Sequence, residues 1–301
     1  MIASARAEVL VRAMPAVFVV IWSTGFIVAR FGMPHSPPMS FLALRYLLSV
    51  LCFAAWAQAA GAVWPRRGSQ LAHLAVTGVL MHAGYLGGVW AAVKLGMGAG
   101  LAALLVGLQP VLTALWVSGR GGKVSMRQWG GLALGLAGLC MVVWEKLGLG
   151  EINPLNVALA ALALVSITAG TLYQKRFIAP CDVRTANLVQ LAAAFAVTLP
   201  LALLETEPMQ WISAGHLNWQ LVGAMAWSVG ALTLGGSSLL YLLIQRGAAT
   251  AVTSLLYLVP PSTALMAWLL FAEPITVLTI IGMGLTAAGV ALVLRAAAPA
   301  R

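Results

Sequence analysis

A chain whose second half repeats its first over an odd number of membrane spans has little freedom of fold. A shift of 151 positions lays Gly84 on Gly235, Gly96 on Gly247 and Leu104–Leu105 on Leu255–Leu256. Without a gap it continues through Pro110 on Pro261, Gly131 on Gly282, Leu134 on Leu285 and Ala137–Gly138 on Ala288–Gly289. An odd-span unit that repeats must re-enter the bilayer upside down. Inverted repeats of this kind build proteins that present a central site alternately to the two sides of a membrane.

The spans themselves are plain. Crossing a hydrocarbon core about 30 Å thick takes a helix of roughly 17–25 apolar residues. Ten such runs stand at about 13–30, 40–60, 71–93, 97–118, 128–145, 154–174, 186–204, 219–244, 248–271 and 275–295. The chain is 61% hydrophobic and 8% charged, with mean hydropathy +0.97, outside the range of water-soluble domains. The expected fold is an all-α polytopic membrane protein. Two inverted five-helix units, residues 1–148 and 149–301, would form one membrane domain. Arg6 and Arg12 ahead of the first run resemble a signal-peptide start. No small-residue cleavage site follows cleanly, and the sixth run looks like a counterpart, so the first is kept as a helix.

The net charge of +10 reads as a topology signal and not as a nucleic-acid surface. With the N-terminus in the cytoplasm, that side receives Arg6, Arg12, Arg66, Arg67, Arg120, Lys123, Arg127, Lys175, Arg176, Arg184, Arg246, Arg295 and Arg301. The far side has Arg30, Lys94 and Lys146, and Arg45 lies within the second run. This is the positive-inside distribution, and it puts both termini in the cytoplasm. The acids lean the other way, with Glu145, Glu151, Glu205, Glu207 and Glu273 outside and Glu8 and Asp182 inside. Cys52, Cys140 and Cys181 show neither a disulfide framework nor metal spacing and are expected to pack. No cofactor or metal is called for.

The ninth and tenth runs carry Leu258-Val259-Pro260-Pro261, then Phe271-Ala272-Glu273-Pro274-Ile275-Thr276, then Gly282 and Gly289. This resembles the EamA-type signature of the drug/metabolite transporter superfamily: a mid-helix proline, an acid ending that helix and a Gly-spaced final helix. The resemblance covers essentially the whole chain and includes Arg45 near the start of the second run. The first half departs from it, because Gly122 stands where the second has Glu273. Within the superfamily the chain is similar to exporters of aromatic and other amino acids of the YddG type. The resemblance implies a multi-pass protein of the cell (inner) membrane, and because each chain contains both halves a monomer is expected to suffice.

Polar groups at mid-membrane depth are costly and usually face a cavity or another helix. Several coincide in estimated depth: Trp22, Ser23 and Thr24 in the first run, His82 and Tyr85 in the third, Gln109 in the fourth and Tyr257 in the ninth. Ser166 and Thr168 in the sixth and Thr233, Ser237, Ser238 and Tyr241 in the eighth join them. A site of hydroxyls, amides and rings suits a small amphipathic solute. Each residue also has a structural reading, as a packing or helix-linking group. Pro110, Pro260 and Pro261 remove backbone donors and free carbonyls about a turn earlier, which makes them either static kinks or a hinge pair for gating. The Gly-spaced fifth and tenth runs read as scaffold. A belt is expected from Trp56, Trp64, Trp116, Trp129, Trp144, Trp211, Trp219 and Trp268, near run ends. Arg30, Arg45 and Lys94 could attract a carboxylate near the outer mouth, but snorkelling or a loop salt bridge is the plainer reading.

Function classes can be weighed on what is missing. None of the seven acids lies mid-span, whereas small multidrug-resistance relatives use a membrane-embedded glutamate in their first helix. Carboxylate-based antiport of polyaromatic cations is therefore not expected. A lipid-modifying enzyme would need a metal or acid/base constellation, and His35, His73, His82 and His216 are scattered. A channel would need a filter ring. The expected function is secondary transport of small amphipathic metabolites, foremost amino acids, out of the cytoplasm. Nucleotide sugars are the alternative, disfavoured because their phosphates call for several deep basic residues.

Overall fold

The computed structural model describes residues 2–121, 125–148, 150–239 and 258–297, most of them helical. Helix α1 spans Ile2–Gly32, α2 Pro38–Ala59, α3 Gly68–Lys94, α4 Ala99–Val106 and α5 Gln109–Gly119. Helix α6 spans Met126–Gly148, α7 Pro154–Phe177 and α8 Val183–Leu203. A small hairpin, β1 (Ile212–Ser213) with β2 (His216–Leu217), leads into α9 (Trp219–Trp227). Helices α10 (Val259–Phe271) and α11 (Val277–Ala297) complete the order.

Among the described residues, 7 helices are long and apolar enough to cross a membrane. They correspond to the first seven expected runs, with α4 and α5 together forming the fourth. The last three runs appear as α9, α10 and α11. The eighth and ninth pass through 240–257, outside the described residues, which takes Tyr241 and Tyr257 with it.

Local sequence explains the helix starts. Pro38 and Pro154 occupy first-turn positions where a missing N–H costs nothing. Asn153 and Asn156 form a reciprocal capping box on α7, and the Asp182 side chain accepts from Arg184 N to start α8. Ala272, at φ 53°, ends α10 in the left-handed region. That conformation costs a non-glycine residue about 1–2 kcal/mol.

Two helix pairs show how the bundle is assembled. Helices α6 and α11 cross on glycines: a Cβ at Gly138 would run into Gly282 O, and one at Gly289 into Gly131 O. Thr286 Oγ1 donates to Gly282 O, 2.8 Å away, so this hydroxyl is satisfied at the contact. Dispersion and close backbone approach hold such a pair where lipid is as apolar as the protein. Helix α2 instead buries large rings, with Phe41 stacked on Trp90 of α3 at 4.5 Å between centroids and Tyr46 fully buried. Apolar side chains such as Val20, Leu51, Val165 and Leu269 remain exposed on the outside, as expected where hydrocarbon is the solvent.

Within α3 lies a π-helical turn, Val79–Gly84, and α9 runs on into a second π-helical stretch, Ser228–Ser237. The shift of 151 carries 79–84 onto 230–235, inside the second stretch. Local side chains take up carbonyls there: Tyr46 Oη donates to His82 O at 2.9 Å and Thr233 Oγ1 to Ser228 O at 2.8 Å. Such turns recur at functional sites because they re-aim side chains.

Two expectations need correction. Cys52 and Cys140 lie exposed, because their faces of α2 and α6 point away from the bundle. Arg45 neither snorkels nor joins a loop salt bridge; it is 5% exposed and points inward. The tryptophans divide as expected, with Trp56, Trp116, Trp144, Trp219 and Trp268 exposed near helix ends.

Candidate functional site

A cavity of about 100 Å³ lies between α1, α2 and α3 on one side and α7, α8 and α9 on the other. Trp22, Gly25 and Phe26 come from α1, Arg45 from α2, and Met81, His82, Tyr85, Leu86, Val89 and Trp90 from α3. The second half supplies Ile167 and Gln174 from α7, Ala186, Asn187 and Gln190 from α8, and Leu232 and Ser237 from the π-helical stretch. Neither α6 nor α11 contributes, in keeping with their expected scaffolding role.

The polar groups are few and held. Arg45 Nε donates to Thr233 Oγ1 at 3.1 Å, and its guanidinium carbon stands 5.8 Å from the Trp90 ring centroid. His82 and Gln190 both line the wall, and the His82 ring meets that of Tyr46 edge-on. Asn187 Nδ2 donates to Val183 O at 2.8 Å, which leaves its Oδ1 as an acceptor on the wall. Trp22 packs on Phe18, ring centroids 5.2 Å apart. The described residues make a mostly apolar, aromatic chamber with one cation and several amides. Among the described residues no cluster of His, Cys, Asp or Glu could hold a metal.

The structure gathers Trp22, His82, Tyr85 and Ser237 on this wall and puts the other described candidates elsewhere. Ser23 is buried and donates to Val19 O at 2.7 Å. Thr24 donates to Ile21 O and accepts from Trp227 Nε1 at 2.9 Å. Gln109 donates to Thr171 Oγ1 at 3.0 Å. Thr168 donates to Leu164 O, and Ser166 sits against Gly84, where a Cβ would lie 2.6 Å from its Oγ. Ser238 is buried, without a hydrogen-bond partner. A hydroxyl on an apolar helix satisfies itself on its own backbone, and most of these do.

The prolines lie at helix starts. Pro110 opens α5 after the break at Gly107–Leu108, and Pro260 and Pro261 fill the first turn of α10. The breaks touch: a Cβ at Gly107 would lie 2.9 Å from Pro260 Cγ. Glu273, the acid of the Glu-Pro-Ile-Thr block, stands outside the cavity. It accepts from Ala99 N at 3.0 Å and Gly100 N at 3.4 Å, capping α4, with Arg30 4.0 Å away. Its first-half counterpart, Gly122, falls outside the described residues.

The sequence reading missed Arg45 as a cavity group, along with Trp90, Gln174, Asn187 and Gln190. One signal was available: Asn187 and Gln190 lie three apart in an apolar run and so share a helix face.

The model of the EamA-like transporter family matches residues 13–144 and 155–295. Curated relatives include the uncharacterized inner membrane transporter YedA of Escherichia coli (strain K12), 26% identical over 278 residues, covering 91% of this chain and 87% of that protein. The probable amino-acid metabolite efflux pump of Salmonella typhimurium (strain LT2) is 29% identical over 159 residues, 52% of this chain and 51% of that protein. A solved crystal structure at 20% identity superposes with a TM-score of 0.63 over 93% of this chain and 95% of its own, a likeness of fold.

Proposed function

The chain belongs to the EamA-like transporter family, and from that premise we propose that it is a secondary transporter moving amino acids out of the cytoplasm by alternating access through the central cavity. The observation that carries this reading is the composition of the wall: one half of the chain supplies three helices and the other half three more, around aromatic rings, amides and, among the described residues, one cation. A small solute with a polar head and an apolar side chain fits that lining. The printed name of the Salmonella relative, an amino-acid metabolite efflux pump, supports the same substrate class.

In this reading the halves are inverted five-helix repeats, residues 1–148 and 149–301, with both termini cytoplasmic and the monomer sufficient. Matched contacts support it. Gly138 meets Gly282 as Gly289 meets Gly131, and Gly25 faces Leu232 as Gly170 faces Met81. The shift of 151 lays His82 on Thr233, and a shift of 145, which lays Gly25 on Gly170, lays Arg45 on Gln190. The bonded pair Arg45–Thr233 thus corresponds to Gln190 and His82, both on the cavity wall. Rocking one half against the other about such an axis closes one mouth as it opens the other. The touching breaks at Gly107 and Pro260 give α4–α5 and α10 a place to bend. A nucleotide sugar is disfavoured, since a diphosphate calls for more than the one cation found among the described residues of the wall.

The test is flux into proteoliposomes of labelled tryptophan, phenylalanine, methionine and threonine, with and without a pH gradient. Saturable uptake that collapses in Trp22→Ala supports amino-acid transport. Dependence on the gradient would add proton coupling, and no uptake from folded protein would remove amino acids as substrates.

A further inference from the structure

The described residues of the cavity include a guanidinium and no carboxylate to balance it. Arg45 is 5% exposed, and its Nε bonds Thr233 Oγ1. Among the described residues no Asp or Glu lies within ion-pair reach of it; the ion pairs there belong to Arg30, Lys94 and Arg184. The other polar groups of the wall are His82, Tyr85, Ser237 and three amide side chains. A buried charge without a partner costs several kcal/mol, and arginine does not escape by losing its proton. A chain that keeps such a cation at a cavity wall supplies one half of an ion pair. With Nε committed to Thr233, the two Nη groups remain to face one planar anion, the geometry in which guanidinium binds carboxylate.

We propose that Arg45 is the carboxylate-binding residue of the cavity, and that the transported solute is one that presents a single carboxylate to it. Trp22, Phe26 and Trp90 then receive the apolar part of that solute, and the amide oxygens of Asn187 and Gln190 accept from an α-ammonium where there is one. Among the described residues of the wall a second anionic group has no cation to meet. Thr233 is the positioning residue that sets the plane of the guanidinium. The inference rests on the transporter reading above, but it concerns the head group and not whether the solute is an amino acid.

Proteoliposome flux of three indoles separates the two: tryptophan, tryptophanamide and indole-3-propionate. Expected is transport of the two carboxylates, with tryptophanamide slower by about thirtyfold or more. In Arg45→Lys, which keeps the charge and loses the fork, the KM for tryptophan should rise about tenfold with little change in maximal rate. In Arg45→Met the preference for acid over amide should vanish. A purely structural Arg45 would lower the amount of folded protein and leave that preference intact. Should the Arg45 variants not fold, the wild-type ratio decides alone. Transport of tryptophan and its amide at equal rates overturns the inference and leaves amino-acid transport standing. Transport of indole-3-propionate without tryptophan does the reverse. No transport of any aliphatic, hydroxy or aromatic monocarboxylate or amino acid by folded protein overturns it outright.

Discussion

The two ends of the bundle are tied by different chemistry. At the end where α1 meets α2 and α10 meets α11, charged side chains make long-range ties beside neutral ones such as His35 to Gln220. Glu205 accepts from Met39 N at 2.9 Å, Ser40 N at 2.7 Å and Ser40 Oγ at 2.8 Å, holding the first turn of α2 from the far side of the chain. Glu273 does the same for α4. Lys94 Nζ meets Glu207 at 2.7 Å and donates to Met33 O. At the opposite end the long-range hydrogen bonds among the described residues are neutral. His73 Nδ1 meets Tyr173 Oη at 2.7 Å with its ring stacked on Phe177, and Gln70 and Thr185 donate to the carbonyls of Ala179 and Val63. The ion pair there, Asp182 with Arg184, is confined to one helix start. A carboxylate aimed at a helix N-terminus gains from both hydrogen bonds and the helix dipole, whereas a neutral pair gains only about 1 kcal/mol. The glutamate end is therefore the firmer one.

That contrast can be broken in steps. Glu205→Ala, which strips three donors of a charged acceptor, should cost the most, about 2–3 kcal/mol, read from denaturant or thermal unfolding in detergent. Glu273→Gln keeps an acceptor and loses the charge; the expected loss is about 1–2 kcal/mol. If it matches wild type, the dipole plays no part at that cap. His73→Phe keeps the stack on Phe177 and removes the bond to Tyr173, for about 1 kcal/mol and no salt dependence. The smallest effect belongs to Asp182. The hydrogen bonds from Arg184 hold its carboxyl below the usual aspartate value, so its contribution is complete above the unfolded-state value of 3.8. It fades as the pH falls through the lower folded value. Asp182→Asn should accordingly differ from wild type near neutrality by less than about 1 kcal/mol, and the two should converge in acid.

The helical runs were legible because hydrocarbon demands length and apolarity, and both are written residue by residue. The glycine contacts of α6 and α11 were legible for a related reason: only small residues allow that approach. The cavity was half legible. His82 and Tyr85 were found because they are too large to satisfy themselves on their own helix, while Ser23 and Thr168 were misplaced because they do just that, each on the carbonyl four residues back. Arg45 was read from its place near a run's beginning, but the side chain reaches inward along a packed face. Nothing in the sequence reported that Glu205 caps α2, a contact across 165 and 166 positions.

The π-helical turn of α3 has a consequence for the chain as a screw. Its i to i+5 bonding inserts about one residue beyond the α repeat, or about 100° of rotation. The stretch from Tyr85 to Trp90 is thus out of phase with Gly68–Gly78, and that phase points Tyr85, Leu86, Val89 and Trp90 at the cavity. Relaxing the turn to plain α-helix at unchanged length would wind those four side chains about 100° off the wall, whereas deleting one residue between 79 and 84 would absorb the turn and leave them on it. For this helix, chamber and lipid face are separated by a single residue in the count.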